Sequence, residues 1–143
     1  MRVYVVDASV ASRFLLVEDL SDKAELVLED FLQGKLDLRS PELVVYEVGN
    51  TLWKSVKDGF ISLDEAIEKF SLFLELRINP VNLSFEEHKE ILDWSVKNNA
   101  TYYDSAYVKA CMEVGGTLLT ADDILYKKSK ETVPTLHLKD YRG

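Results

Sequence analysis

Short β-branched or aliphatic runs alternate with helical patterns along the whole chain, and this alternation limits the architecture more than any other feature. The runs are Val3–Val6, "LDLRS" ending at Ser40, "RINPVNL" from Arg77, "TLLT" from Thr117 and "VPTLHL" from Val133. Strands separated by helices need crossover connections, which implies a parallel sheet with helices on both faces. The first run is expected at the sheet centre and the last, with its proline, at an edge.

The helices carry their own punctuation. Ala8 to Leu16 reads as a first helix, and Ser21 to Gln33 as a second that Gly34 stops. Ser40 followed by Pro41 reads as an N-cap with proline at the first helical position, opening a helix to about Lys57 before the Asp58-Gly59 turn. Ser62 with Glu65 and Ser84 with Glu87 form two capping boxes. Asn98-Asn99 closes the second of these helices, Tyr103 to Val114 is helical up to Gly115-Gly116, and Asp122 to Ser129 is the last helix. At 143 residues, with no linker, repeat or low-complexity stretch, residues 1–143 are expected to form a single domain.

The first strand runs straight into Asp7. A carboxylate at the end of a buried strand is costly unless a cation sits on it. In parallel α/β folds ligands gather at the carboxyl ends of the strands, near the switch in strand order. Three further acids can be placed at that edge: Glu47, Asp104 and Asp122. On its helix Glu47 shares a flank with Asn50 and Lys54, beside the apolar side formed by Val44, Val48, Leu52, Val45 and Val56. The plainer reading of that flank is a solvated helix edge.

Asp104 alone reads as a first-turn acid favoured by the helix dipole. Thr120 and Asp123 have the spacing of a capping pair, so Asp122 is assigned as the ligand and Asp123 as a cap or outer helper. Together the four carboxylates suit Mg²⁺ or Mn²⁺, hard ions that prefer oxygen ligands and activate water for attack on a phosphodiester. His88 and His137, the only histidines, lack ligand-like neighbour spacing and are expected in surface or structural roles.

The formal net charge of −8, from 25 acidic and 17 basic side chains, argues against a general nucleic-acid binder. Two divalent ions would halve that charge, and an acidic body also suits a basic protein partner. Cys111 lies in an apolar helical pattern and is expected as a reduced, buried thiol, consistent with a cytoplasmic setting. No apolar run approaches bilayer-spanning length, and no signal-peptide pattern precedes the first strand, so no membrane association is expected.

"VVDASV", "YEVGNTLWK", "YDSAY" and "LLTADDIL", in this order, closely resemble the PIN domain, and within it the VapC-type toxins of toxin–antitoxin pairs. The resemblance implies a three-layer α/β/α sandwich and Mg²⁺- or Mn²⁺-dependent endoribonuclease activity. It also implies a homodimer inhibited by a cognate antitoxin. Carried over by position, Asp7, Glu47, Asp104 and Asp122 correspond to the family's acidic quartet. Ser9 and Thr120 correspond to its hydroxyl-bearing neighbours, and Asn50 to the asparagine accompanying the helical glutamate. The departure is Ser105, where alanine commonly follows the aspartate.

Arg13 and Lys54 are candidate phosphate contacts, with a solvated surface role as the alternative. Phe70 and Phe73, on a helix with more apolar surface than one core stripe requires, are candidates for a dimer or antitoxin surface, against deep packing. Other readings are a PIN-type nuclease in RNA processing or DNA cleavage, and a non-catalytic PIN-fold binding module. An aspartyl-phosphate phosphatase would want a second acid where Ser9 stands. A receiver domain would want an acidic pair and a later lysine that are not evident.

Overall fold

A computed structural model describes all residues, 1–143. It contains one five-stranded sheet in the order β3-β2-β1-β4-β5, with every neighbouring pair parallel. The strands are β1 (Arg2–Val6), β2 (Leu36–Pro41), β3 (Asn79–Val81), β4 (Thr117–Thr120) and β5 (Thr135–His137). The helices are α1 (Ala8–Ala11), α2 (Ser21–Leu32), α3 (Leu43–Lys57), α4 (Leu63–Glu75), α5 (Phe85–Asn98), α6 (Tyr102–Val114) and α7 (Asp123–Ser129). As expected, β1 is central and β5 lies at an edge. The chain builds outward from β1 through β2 to β3, then returns to β1's other side with β4. Strand order therefore reverses between β1 and β4, and Asp7 and Asp122 follow those two strands.

Period-2 alternation divides the core between the two sheet faces. Val5 and Leu118 pack on one face with Val44, Val48 and Leu52 of α3, Phe73 of α4 and Tyr107 and Val108 of α6. Tyr4, Val6, Leu36, Leu38 and Leu119 pack on the other with Ala24 and Val27 of α2 and with Leu138 and Tyr141. Gly116 is required where α6 turns into β4, because a Cβ there would meet Val3 O at 2.7 Å. Gly115, at φ +66°, takes the left-handed conformation that ends α6. No helix is long and apolar enough to cross a membrane.

Both predicted capping boxes form, at Ser62–Glu65 and Ser84–Glu87. Three local expectations are corrected. The Ser40-Pro41 pair does not open α3: both residues remain in β2, where Ser40 pairs with Pro80 and Pro41 with Val81. Ser40 Oγ instead donates to Val6 O at 2.8 Å, tying β2 to the end of β1, and sheet pairing overrides the cap pattern. The helix after Asp7 is short, passing from α1 into a 3₁₀ turn at Ser12–Phe14. Phe73 is buried in the core and the partly buried Phe70 stacks on it with centroids 6.4 Å apart, so Phe73 is no part of an open surface. The exposed apolar residues of α4 are Leu63, Ile67, Leu72 and Leu74.

Candidate active site

Asp7 is 4% exposed and acts as the N-cap of α1, with Oδ1 accepting from Val10 N at 3.2 Å. Ser9 Oγ donates to the same oxygen at 2.6 Å, and Thr120 Oγ1 donates to Oδ2 at 2.5 Å. The two hydroxyls are themselves fixed from β4's exit: Ala121 N donates to Ser9 Oγ and Asp122 N to Thr120 Oγ1. Backbone on one side of the switch point thus orients a carboxylate on the other. Ser9 and Thr120, expected as site neighbours, hold Asp7 directly.

Glu47 lies half-buried on α3, and Tyr107 of α6 donates to its Oε1 at 2.6 Å. Burial, then the hydrogen bond and charge of Glu47, hold the Tyr107 hydroxyl far above its ordinary pKa, so it remains a donor. Tyr107 was not identified from the sequence, because its position in the apolar stripe of α6 reads simply as core. Thr101 was also missed: it is the N-cap of α6, and its Oγ1 accepts from Asp104 N at 3.0 Å. Asp104 is therefore held by its own helix start, one turn before Tyr107.

The structure reassigns the residues after β4. Thr120 is buried within the strand and does not cap α7; Asp122 is the cap, accepting from Leu125 N at 2.8 Å. Asp123 points elsewhere, pairing through Oδ1 with Nε2 of the buried His137 at 2.8 Å. Asn50 is exposed on α3 one turn beyond Glu47. The Arg13 guanidinium is engaged by Ser9 O, Asp19 O and the Asp19 carboxylate. Lys54 lines a separate cavity of about 500 Å³ with Leu15, Leu16, Phe60 and Glu65. Lys128 of α7, also missed, places a positive charge near Asp104 and hydrogen-bonds Asn99 O.

Burial pushes the Asp7 carboxyl up to about 6, against the lowering effect of Ser9, Thr120 and Val10, with Asp104 adding repulsion. Asp104 is raised by desolvation, then by Asp122 and Glu47. Asp104 thus couples to the other three acids of the quartet. As placed, no group of three or more His, Cys, Asp or Glu side chains stands close enough to hold an ion. Asp7, Glu47 and Asp122 are each drawn to their own donors. The donor set nevertheless fits a hard divalent cation: it is all oxygen, and its members repel in a way that such a charge relieves.

Comparison with known proteins bears on the family and the fold. The PIN domain family matches residues 4–131. The chain is 33% identical over 128 residues to Ribonuclease VapC3 of Pyrobaculum aerophilum, covering 87% of this chain and 92% of that protein. It is 30% identical over 95 residues to Exonuclease VapC9 of the same organism, covering 64% of this chain and 66% of that one. The crystal structure of PAE2754, also from Pyrobaculum aerophilum, superposes with a TM-score of 0.73 at 24% identity, over 96% of this chain and 92% of that one. The parallel sheet, the acids at its carboxyl edge and a match spanning most of the sequence lead to one conclusion: the chain belongs to the PIN domain family.

Proposed function

We propose that this chain is a VapC-type endoribonuclease, the toxin of a type II toxin–antitoxin pair, acting as a single PIN unit and dependent on Mg²⁺ or Mn²⁺. Kinship with VapC3 over most of both chains supports the nuclease reading. The observation that carries the site assignment is Asp7, buried at the β1–β4 switch point, fixed by two hydroxyls and coupled through Asp104 to the other acids.

Asp7, Glu47, Asp104 and Asp122 are the residues that would hold the ion. When bound, a divalent ion lowers the pKa of a water and offsets charge on the phosphate. Ser9 and Thr120 keep both oxygens of Asp7 oriented, and Tyr107 fixes one oxygen of Glu47. Asp122 keeps one oxygen on the α7 amide, which limits the directions its carboxylate can take. Asn50, exposed one turn beyond Glu47, and Asp123, paired with His137, have no direct role in holding Asp7. A cognate antitoxin, a homodimer and a cytoplasmic setting complete the reading.

The test is cleavage of single-stranded RNA by the purified chain, in chelator and after adding back Mg²⁺ or Mn²⁺. Linear and circular RNA are compared, because one relative bears the name exonuclease. Metal-dependent cutting of both forms, abolished in Asp104→Asn, supports the proposal. Cutting of linear RNA alone would replace it with an exonuclease, and cutting in chelator would remove the metal.

A further inference from the structure

We infer that Tyr46 and Tyr103, on the two helices that also carry Glu47 and Asp104, form a stacking subsite for a nucleobase of single-stranded RNA. This inference rests on the ribonuclease reading and extends it to how substrate is held. Tyr46 directly precedes Glu47 and Tyr103 directly precedes Asp104, yet the two rings are 70% and 59% exposed. Both line one cleft of about 390 Å³ at the carboxyl ends of β2 and β3, with Leu43, Asn82, His88 and Tyr102. That volume lies within the range of sites for small organic groups, about 300–1,000 Å³.

The cleft is built rather than incidental. Tyr102 stacks on His88 with centroids 6.0 Å apart and planes 19° apart, and their polar atoms are hydrogen-bonded. Tyr103 stands edge-on to Tyr102, at 6.4 Å and 78°. The Tyr107–Glu47 hydrogen bond couples α6 to α3, the two helices that carry Tyr103 and Tyr46. A bond that orients an acidic residue therefore also ties together the two helices that carry the aromatic residues.

Charge favours a base over the RNA backbone as the group held here. The net charge is −8, and Glu42 adds an acid to the cleft itself. Arg13 is spent on Ser9 and Asp19, and Lys54 faces another cavity. Lys128, the cation near Asp104, hydrogen-bonds Asn99 O, so few cations are free at the site and phosphate contacts contribute little affinity. Stacking on a neutral ring needs no counter-charge, and it tolerates any base because every base has a π face.

The experiment uses a single-stranded RNA oligonucleotide with 2′-O-methyl sugars and one 2-aminopurine, whose fluorescence is quenched on stacking. Affinity, quenching and salt dependence are read in the wild type and in Tyr46→Phe, Tyr46→Leu, Tyr103→Phe and Tyr103→Leu, with light scattering and thermal melting of each. Phe variants should match the wild type. Each Leu variant should bind about tenfold more weakly and lose quenching, with melting, oligomeric state and salt slope unchanged. Leu variants that bind and quench like the wild type, while the wild type cleaves RNA, would overturn the subsite alone. Leu variants that change the oligomeric state would show the cleft to be an interface between copies and overturn it too. A wild type that neither binds nor cleaves single-stranded RNA would remove both this inference and the ribonuclease reading.

Discussion

Tyr107 donates its phenolic proton to Glu47 Oε1 at 2.6 Å, joining α6 to α3 across sixty residues of sequence. The ring is almost fully buried while the carboxylate is half-exposed, so the core positions an acid that faces the site.

Replacing Tyr107 with Phe keeps the packing and removes only the donor. A hydrogen bond to a group that water can still reach is worth about 1 kcal/mol, and that is the expected loss in chemical denaturation. RNA cleavage should fall by about tenfold or more, as when other residues that orient metal ligands are lost. Full activity in Tyr107→Phe would show that Glu47 needs no positioning.

Asp7 gives the chain a defined pH dependence in the absence of metal. Its carboxyl is raised from 3.8 to about 6, so across that window the native state holds more protons than the unfolded chain. The Asp7 contribution to stability is therefore greatest below about pH 4, falls as pH rises through about 6, and flattens above, for a total of about 2–3 kcal/mol. Denaturant melts in chelator across that window measure it. Asp7→Asn should remove most of the slope and leave a smaller part of the same sign from Asp104, which is also raised.

The residues after β4 separate capping from chemistry. Asn is as good an N-cap as Asp, so Asp122→Asn should fold normally yet lose RNA cleavage. Asp122→Ala should lose cleavage and about 1 kcal/mol besides, because Leu125 N loses its acceptor. Asp123→Asn alters only the contact with His137 and should retain most activity. Paired cleavage and melting measurements decide it; an inactive, well-folded Asp123→Asn would move the site by one residue.

The sequence made the fold legible where hydrophobic runs and caps agreed. Val3–Val6 read correctly as a central strand because its apolar run continues on both sides of the pleat, and both Ser–Glu capping boxes appear as written. It misled at Ser40-Pro41, where a local cap pattern competes with pairing to Val6 and β3 that local sequence does not reveal. The same limit applies at Thr120: its spacing to Asp123 imitates a cap, but its hydroxyl is needed by Asp7, distant in sequence. Asp7 stood out because a charge at the end of an apolar strand is anomalous. Tyr107 did not, because a tyrosine among core residues is ordinary until its partner is known.

The central claim is that Asp7, Glu47, Asp104 and Asp122 form one divalent-ion site, and calorimetric titration of the metal-free chain with Mn²⁺ tests it most directly. Asp104 is the informative residue, since it couples to each of the other three. Saturable Mn²⁺ binding in the wild type that is largely lost in Asp104→Asn, with its fold intact by circular dichroism, is the expected result. Equal Mn²⁺ affinity in Asp104→Asn and the wild type would contradict it.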